Sequence, residues 1–199
     1  SRMPMQLAPD PVWGLPRQPW SGGQSIVVCW RPSPLLGLQG WSLLLNALSR
    51  LAEDLDAPVR WLAFHRHQDG ALLDWLTDQG VVPLGLRSRS TTVIPSSLDT
   101  VFASVRKARL VIPMRLHALI LARLAHCPMA ALSYDPKVEA AAAMAGIPCS
   151  SLDALPDEQT LLKQWREAMD TPADSDQIER IRAAAAHHGT QLRRYLPQR

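Results

Sequence analysis

Between Arg109 and Pro148 the chain reads RLVIPMRLHALILARLAHCPMAALSYDPKVEAAAAMAGIP, two strand, turn and helix units set end to end. RLVI and MAAL are short apolar runs, and each leads through a polar turn into a segment of helical periodicity. Charge gathers where strand hands over to helix: Arg115 and His117 in the first unit, Tyr134, Asp135 and Lys137 in the second. Units of this kind leave few ways to fold. Successive strands joined through helices lie parallel, and their right-handed crossovers cover both faces of the sheet.

The same alternation precedes this stretch. SIVVCWR, Ser25 to Arg31, reads as a buried first strand ended by Pro32 and Pro34. Leu35 to Leu55 follows as an amphipathic helix, with Leu38, Trp41, Leu45, Leu48, Leu51 and Leu55 near one face. VRWLAF, Val59 to Phe64, is a second strand whose exit carries His65, Arg66, His67 and Asp69 before a helix over Gly70–Gln79. VVPLGL, Val81 to Leu86, reads as a weaker third strand interrupted by Pro83. SSLDTVFASVRKA then opens a helix with capping serines and an early Asp99. Beyond Pro148 come a connection through Cys149, a helix near Asp157–Met169 and a last helix from Ser175 to Leu196.

The fold class is therefore α/β, a Rossmann-like parallel sheet with helices on both faces. Residues 1–24, rich in proline, read as an extended arm or interdomain linker, 25–170 as the ligand-binding domain, and 171–199 as a C-terminal helix. That helix packs on the domain or toward a further N-terminal domain.

With 47% hydrophobic and 20% charged residues the composition is that of an ordinary globular domain. No apolar run reaches the roughly 20 residues that cross a bilayer, and SRMPMQLAPDP has no signal-peptide pattern, so the expected location is cytoplasmic. Peripheral attachment at the inner face of the membrane is also compatible. Cys29, Cys127 and Cys149 are widely spaced in apolar surroundings and read as buried thiols, with no zinc pattern. The net charge of +3 comes from dispersed arginines, which does not call for nucleic acid but suits an anionic ligand.

In an open parallel sheet, ligands sit at the carboxyl ends of the strands, where helix N-termini attract anions. Arg115 offers a planar fork for carboxylate or phosphate, and His117 can move a proton near neutral pH. The plainer alternative has Arg115 bridging to a neighbouring aspartate and His117 capping the helix. No GxGxxG or GxxxxGK[ST] occurs, so neither glycine-rich phosphate loop is present. Asp135 reads as a ligand contact, with the cap of a helix starting at Pro136 as the plainer alternative. His65 and Asp69 read as donor or acceptor contacts or as part of a solvated loop, and no third ligand completes a metal site. His126, His187 and His188 fall late in helices, where surface roles are expected.

The R-L-H of Arg115, Leu116 and His117, its small-apolar helix, Pro128 and the Y-D-P-K of Tyr134–Lys137 together resemble the polysaccharide pyruvyl transferase family of the CsaB type. Looser agreement extends to Asp10–Pro11, to Arg31–Pro32 after the first strand, and to the F-H-x-x-Q-D of Phe64–Asp69. The resemblance implies the C-terminal, donor-binding domain of a GT-B-like fold, with an N-terminal half belonging to the complete protein and this fragment inactive alone. It implies transfer of a pyruvyl group from phosphoenolpyruvate to two sugar hydroxyls, forming a ketal on a cell-wall or exopolysaccharide precursor. The partners would be phosphoenolpyruvate as donor substrate, with no cofactor, and a sugar or lipid-linked glycan acceptor. Arg115, Leu116 and His117 would bind phosphoenolpyruvate, with Arg115 as anion clamp and His117 handling a proton or the departing phosphate. Arg31 would supply a second positive charge, and His65, Asp69, Tyr134, Asp135 and Lys137 would line the site. The alternatives are a nucleotide-sugar-dependent GT-B glycosyltransferase domain and a non-catalytic sugar- or partner-binding module.

Overall fold

The computed structural model describes residues 9–171 and 173–195, with side chains as far as residue 186. Residues 1–8 of the proposed arm, Leu196 at the proposed helix end and the side chains of His187 and His188 lie outside the described part. Among the described residues six strands form the sheet: β1 (Ser25–Cys29), β2 (Val59–Leu62), β3 (Ser90–Val93), β4 (Ala108–Pro113), β5 (Ala131–Ser133) and β6 (Cys149–Ser151). All pairings are parallel, in the order β3-β2-β1-β4, and a Val111–Met129 bridge joins the β5-β6 pair to β4. The order across the molecule is thus 3-2-1-4-5-6, with the first strand in the middle, the doubly wound arrangement.

The period-two geometry of the strands divides the core between two faces. Ile26, Val28, Trp30, Leu110, Ile112 and Leu132 point to one side. There they meet α1 (Leu38–Asp54), α2 (Leu72–Asp78), α3 (Leu84–Arg89) and α7 (Glu158–Asp170). Val27, Cys29, Val111 and Ala131 point to the other, under α4 (Leu98–Arg106), α5 (Leu116–Leu124), α6 (Pro136–Met144) and α8 (Ser175–Tyr195). On the first face Trp30 packs edge-on to Trp61 at 5.4 Å and tilted to Trp41 at 6.1 Å.

Two expectations need correction. The third strand is Ser90–Val93, not Val81–Leu86. Pro83 has no N–H for a ladder and its φ of −57° suits a helix start, so it stands as the N-cap of α3 and Leu84–Leu86 coil. The stretch through Cys149 is not a plain connection, because Cys149–Ser151 pairs with β5 as the sixth strand. Within the proline-rich arm, where no regular structure is expected, Pro11–Gly14 forms one 3-10 turn capped by Asp10. It buries Trp13 to 1% exposure, and Arg182 of α8 donates to the Leu15 carbonyl. Trp20 anchors the following residues through Nε1–H to the Ala108 carbonyl at 2.9 Å.

Four helices end by one device. In α1, α2, α5 and α6 the residue after the C-cap has positive φ: Asp56, Gly80, His126 and Gly146. At α5 the His126 N–H reaches the Arg123 carbonyl and the Cys127 N–H the Ala122 carbonyl, the paired bonds of a Schellman motif.

His126 is the uncomfortable member. Like Asp56 it is not a glycine, and in addition burial, then Arg17 and Arg123, hold its pKa below the ordinary value against the opposing pull of Glu179. The unfolded chain then takes up the proton first, so stability is full above about pH 6.5 and falls on acidification through the depressed folded value. His126→Asn, which tolerates the left-handed backbone, should remove that acid-side slope in denaturation curves. A slope retained in the variant would assign the effect to another group.

Candidate functional site

The last paired residues of the two central strands are Cys29 of β1 and Pro113 of β4. Beyond them, Arg31 and Arg115 leave the sheet on either side of the switch point, where one connection turns to each face and a crevice opens. The Met114 N–H donates to the Cys29 carbonyl at 3.1 Å, which keeps the two exits together.

Arg115 is the N-cap of α5, and no side chain caps that helix. The first N–H groups of α5, whose partial positive charge favours anions, therefore open beside a guanidinium. The guanidinium is held from one edge by Asp69: Nε donates to Oδ2 at 2.7 Å and Nη2 donates to Oδ1. Nη2 also lies 3.5 Å from Gln68 Oε1. The Asp69 side chain is 1% exposed and its Oδ2 also accepts the His65 N–H at 2.9 Å. That leaves Nη1 of Arg115 without a partner among the described residues, with the other edge committed to a buried carboxylate.

The 65–70 loop is shaped for this. The Asp69 N–H returns to the His65 carbonyl at 2.8 Å, and a Cβ at Gly70 would stand 2.3 Å from the Arg66 carbonyl oxygen. Only glycine fits so close to the backbone at that position.

Arg31 is partly exposed and rests on Tyr134, donating from Nη1 to the hydroxyl at 3.0 Å with its central carbon 4.7 Å from the ring centroid. β5 thus contributes to the support of β1's arginine. Asp135 caps α6 by accepting the Lys137 N–H at 2.7 Å, the capping alternative, and the Lys137 side chain is exposed. Leu116 packs its side chain against the core beneath α5, so its contribution at the strand exit is its backbone N–H.

Of the expected residues, Arg31 and His117 line two different cavities. Arg31, Pro32, His67, Gln68, Ala71, Leu72 and Trp75 line one of about 480 Å³. His117 joins Phe64, Ser96, Ser97 and Leu98 around the second, of about 490 Å³. His117 does not cap α5; it is 58% exposed, with Nε2 3.6 Å from Asp10 Oδ2. The exposed His65 accepts the Gln68 N–H at 3.4 Å, a loop contact. Sequence reasoning passed over His67, Gln68 and Trp75 as site residues; the signal available was the polar exit HRHQD and a tryptophan on the polar side of a short helix.

No thiol here is poised as a nucleophile. Burial, aided by Asp69, pushes Cys29 far up despite Arg115, and burial raises Cys127 to about 12 and Cys149 to about 11. Among the described residues no three His, Cys, Asp or Glu side chains group as metal ligands, and no helix is long and apolar enough to cross a membrane.

No family model and no curated protein matches the chain. A solved structure described as the glycotransferase of kitacinnamycin superposes with a TM-score of 0.55 at 14% identity, covering 99% of this chain and 48% of that one. An O-GlcNAc transferase mutant of Thermobaculum terrenum gives a TM-score of 0.47 at 15% identity, over 94% of this chain and 34% of that one. The chain has the doubly wound fold found in GT-B glycosyltransferases and spans about half the length of the kitacinnamycin protein.

Proposed function

We propose that this chain is the phosphoenolpyruvate-binding half of a pyruvyl transferase that builds a cyclic ketal on a sugar. The observation that carries the reading is the pair of arginines, Arg31 and Arg115, set beyond the last paired residues of β1 and β4 beside the uncapped start of α5. Phosphoenolpyruvate holds a carboxylate and a phosphate close together, and two guanidiniums with free helix N–H groups match that double anion. The R-L-H and Y-D-P-K motifs fall on these positions, and the chain carries no glycine-rich phosphate loop. The glycosyltransferase-like fold supports a transferase acting on sugars.

In the reaction, a proton goes to the methylene carbon and a sugar hydroxyl adds to the central carbon, losing its own proton. The C–O bond to phosphate breaks, and a second hydroxyl closes the ketal with loss of a proton. Arg31 and Arg115 hold the anions and offset charge on the departing phosphate. His117, with Asp10 at 3.6 Å to orient its imidazole, is the group assigned to proton transfer.

A thermal-shift comparison tests the donor. Phosphoenolpyruvate should raise the melting temperature, by the equivalent of about 2.7 kcal/mol at a hundredfold excess over Kd. UDP-, GDP- and CMP-sugars should not. The opposite pattern would favour a nucleotide-sugar glycosyltransferase, the second reading supported by the fold likeness.

A further inference from the structure

We propose that Trp75 is an aromatic platform on which a hexopyranose stacks, making the cavity beside Arg31 a sugar subsite. The proposal rests on the pyruvyl-transfer reading only in taking that sugar to be the acceptor. Its own basis is the behaviour of the tryptophans.

The chain has seven tryptophans. Trp13, Trp30, Trp41, Trp61 and Trp165 are at most 3% exposed. Trp20, 42% exposed, spends its indole N–H on Ala108. Trp75 is 43% exposed, and its indole N–H finds no acceptor among the described residues. It is not needed to seat α2, because Leu72, Leu73 and Leu76 are each 1% exposed or less. A large indole left uncovered by the fold lines the same cavity as Arg31, His67 and Gln68.

That cavity joins one flat apolar face to several unspent polar groups. Arg31 uses Nε on Pro32 and Nη1 on Tyr134, leaving Nη2. Gln68 uses Oε1 on Arg115, leaving its amide donors, and the His67 ring has no partner among the described residues. A pyranose has the complementary shape: axial C–H groups on one face for the indole, and hydroxyls around the rim for amide, imidazole and guanidinium. At about 480 Å³ the cavity has the size of a small-ligand site. Gln68 reaches Arg115 from its wall, so a sugar here adjoins the anion site. A nucleobase would also stack on the indole, and the nucleotide arm of the experiment distinguishes it from a sugar.

The experiment uses the Trp20→Phe form of the chain, in which Trp75 is the one well-exposed tryptophan among the described residues. Methyl hexopyranosides should protect its fluorescence from acrylamide quenching, saturably, whereas UDP and GDP should not. By calorimetry Trp75→Ala should weaken glycoside binding about fivefold to tenfold, the scale of one lost aromatic contact, while Trp75→Phe retains most of it. Melting temperature and phosphoenolpyruvate affinity should stay at parental values. Absence of glycoside protection, or protection by nucleotides instead, overturns the platform. Protection without phosphoenolpyruvate binding upholds the platform and removes the pyruvyl-transfer reading, so the two fail separately.

Discussion

Arg115→Ala is expected to lower unfolding free energy by about 3 kcal/mol in urea titrations and to abolish phosphoenolpyruvate binding measured by calorimetry. The stability term follows from what is left behind. Asp69 is 1% exposed and its carboxylate is satisfied by the Arg115 guanidinium and the His65 N–H. Without the guanidinium a buried charge keeps a single backbone donor, and that desolvation is the main cost. The binding loss has a different origin, the missing Nη1 edge at the start of α5. Replacing both partners separates the two. In Arg115→Met with Asp69→Leu no charge is left unpaired, so more than half of the lost stability should return, because apolar pairs of similar volume often replace buried ion pairs at little cost. Binding should remain absent. A single variant within about 1 kcal/mol of the parent would mean that water reaches Asp69 and that the pair is not what holds the arginine.

The same pair shows how far the site was legible in the sequence. RLH after an apolar run places Arg115 at a strand exit, and the strand order then puts it at the switch point. That its partner would be Asp69, 46 positions earlier, was one of several possibilities, because nothing in HRHQD says which side chain turns inward. Chain topology decides it: β2 neighbours β1, so the loop after β2 comes up beside the exits of β1 and β4. The separation of His117 from Arg31 was likewise invisible, since it depends on which way a residue at the head of α5 faces. The strands follow a similar rule. β1, β2, β4 and β5 lie inside the sheet and are buried except at Arg60 and Arg109, so they read as largely apolar runs. β3 and β6 are the two edges, written STTV and CSS, and polar residues suffice where one side of the ladder meets solvent. Those are the two strands that hydrophobic patterning misplaced or passed over.

Arg31→Ala should separate binding from folding more cleanly than any change at Arg115. Its guanidinium is partly exposed and touches the Pro32 carbonyl, the Tyr134 hydroxyl and the Tyr134 ring. No buried charge depends on it. The melting temperature should therefore stay close to the parent's, while phosphoenolpyruvate affinity falls about tenfold to a hundredfold, the loss of one charged hydrogen bond worth about 1.5 to 3 kcal/mol. Arg31→Lys should recover little of this. An ammonium keeps the charge but cannot rest flat on an aromatic ring and bond the Tyr134 hydroxyl while it presents a separate donor to an anion. Tyr134→Phe keeps the ring beneath Arg31 and removes only the hydroxyl acceptor, so its effect should be about 1 kcal/mol or less and vanish in the Arg31→Ala background. If Arg31→Ala binds phosphoenolpyruvate as the parent does while Arg115→Ala does not, the anion site is confined to the start of α5 and the exit of β1 belongs to the sugar side alone.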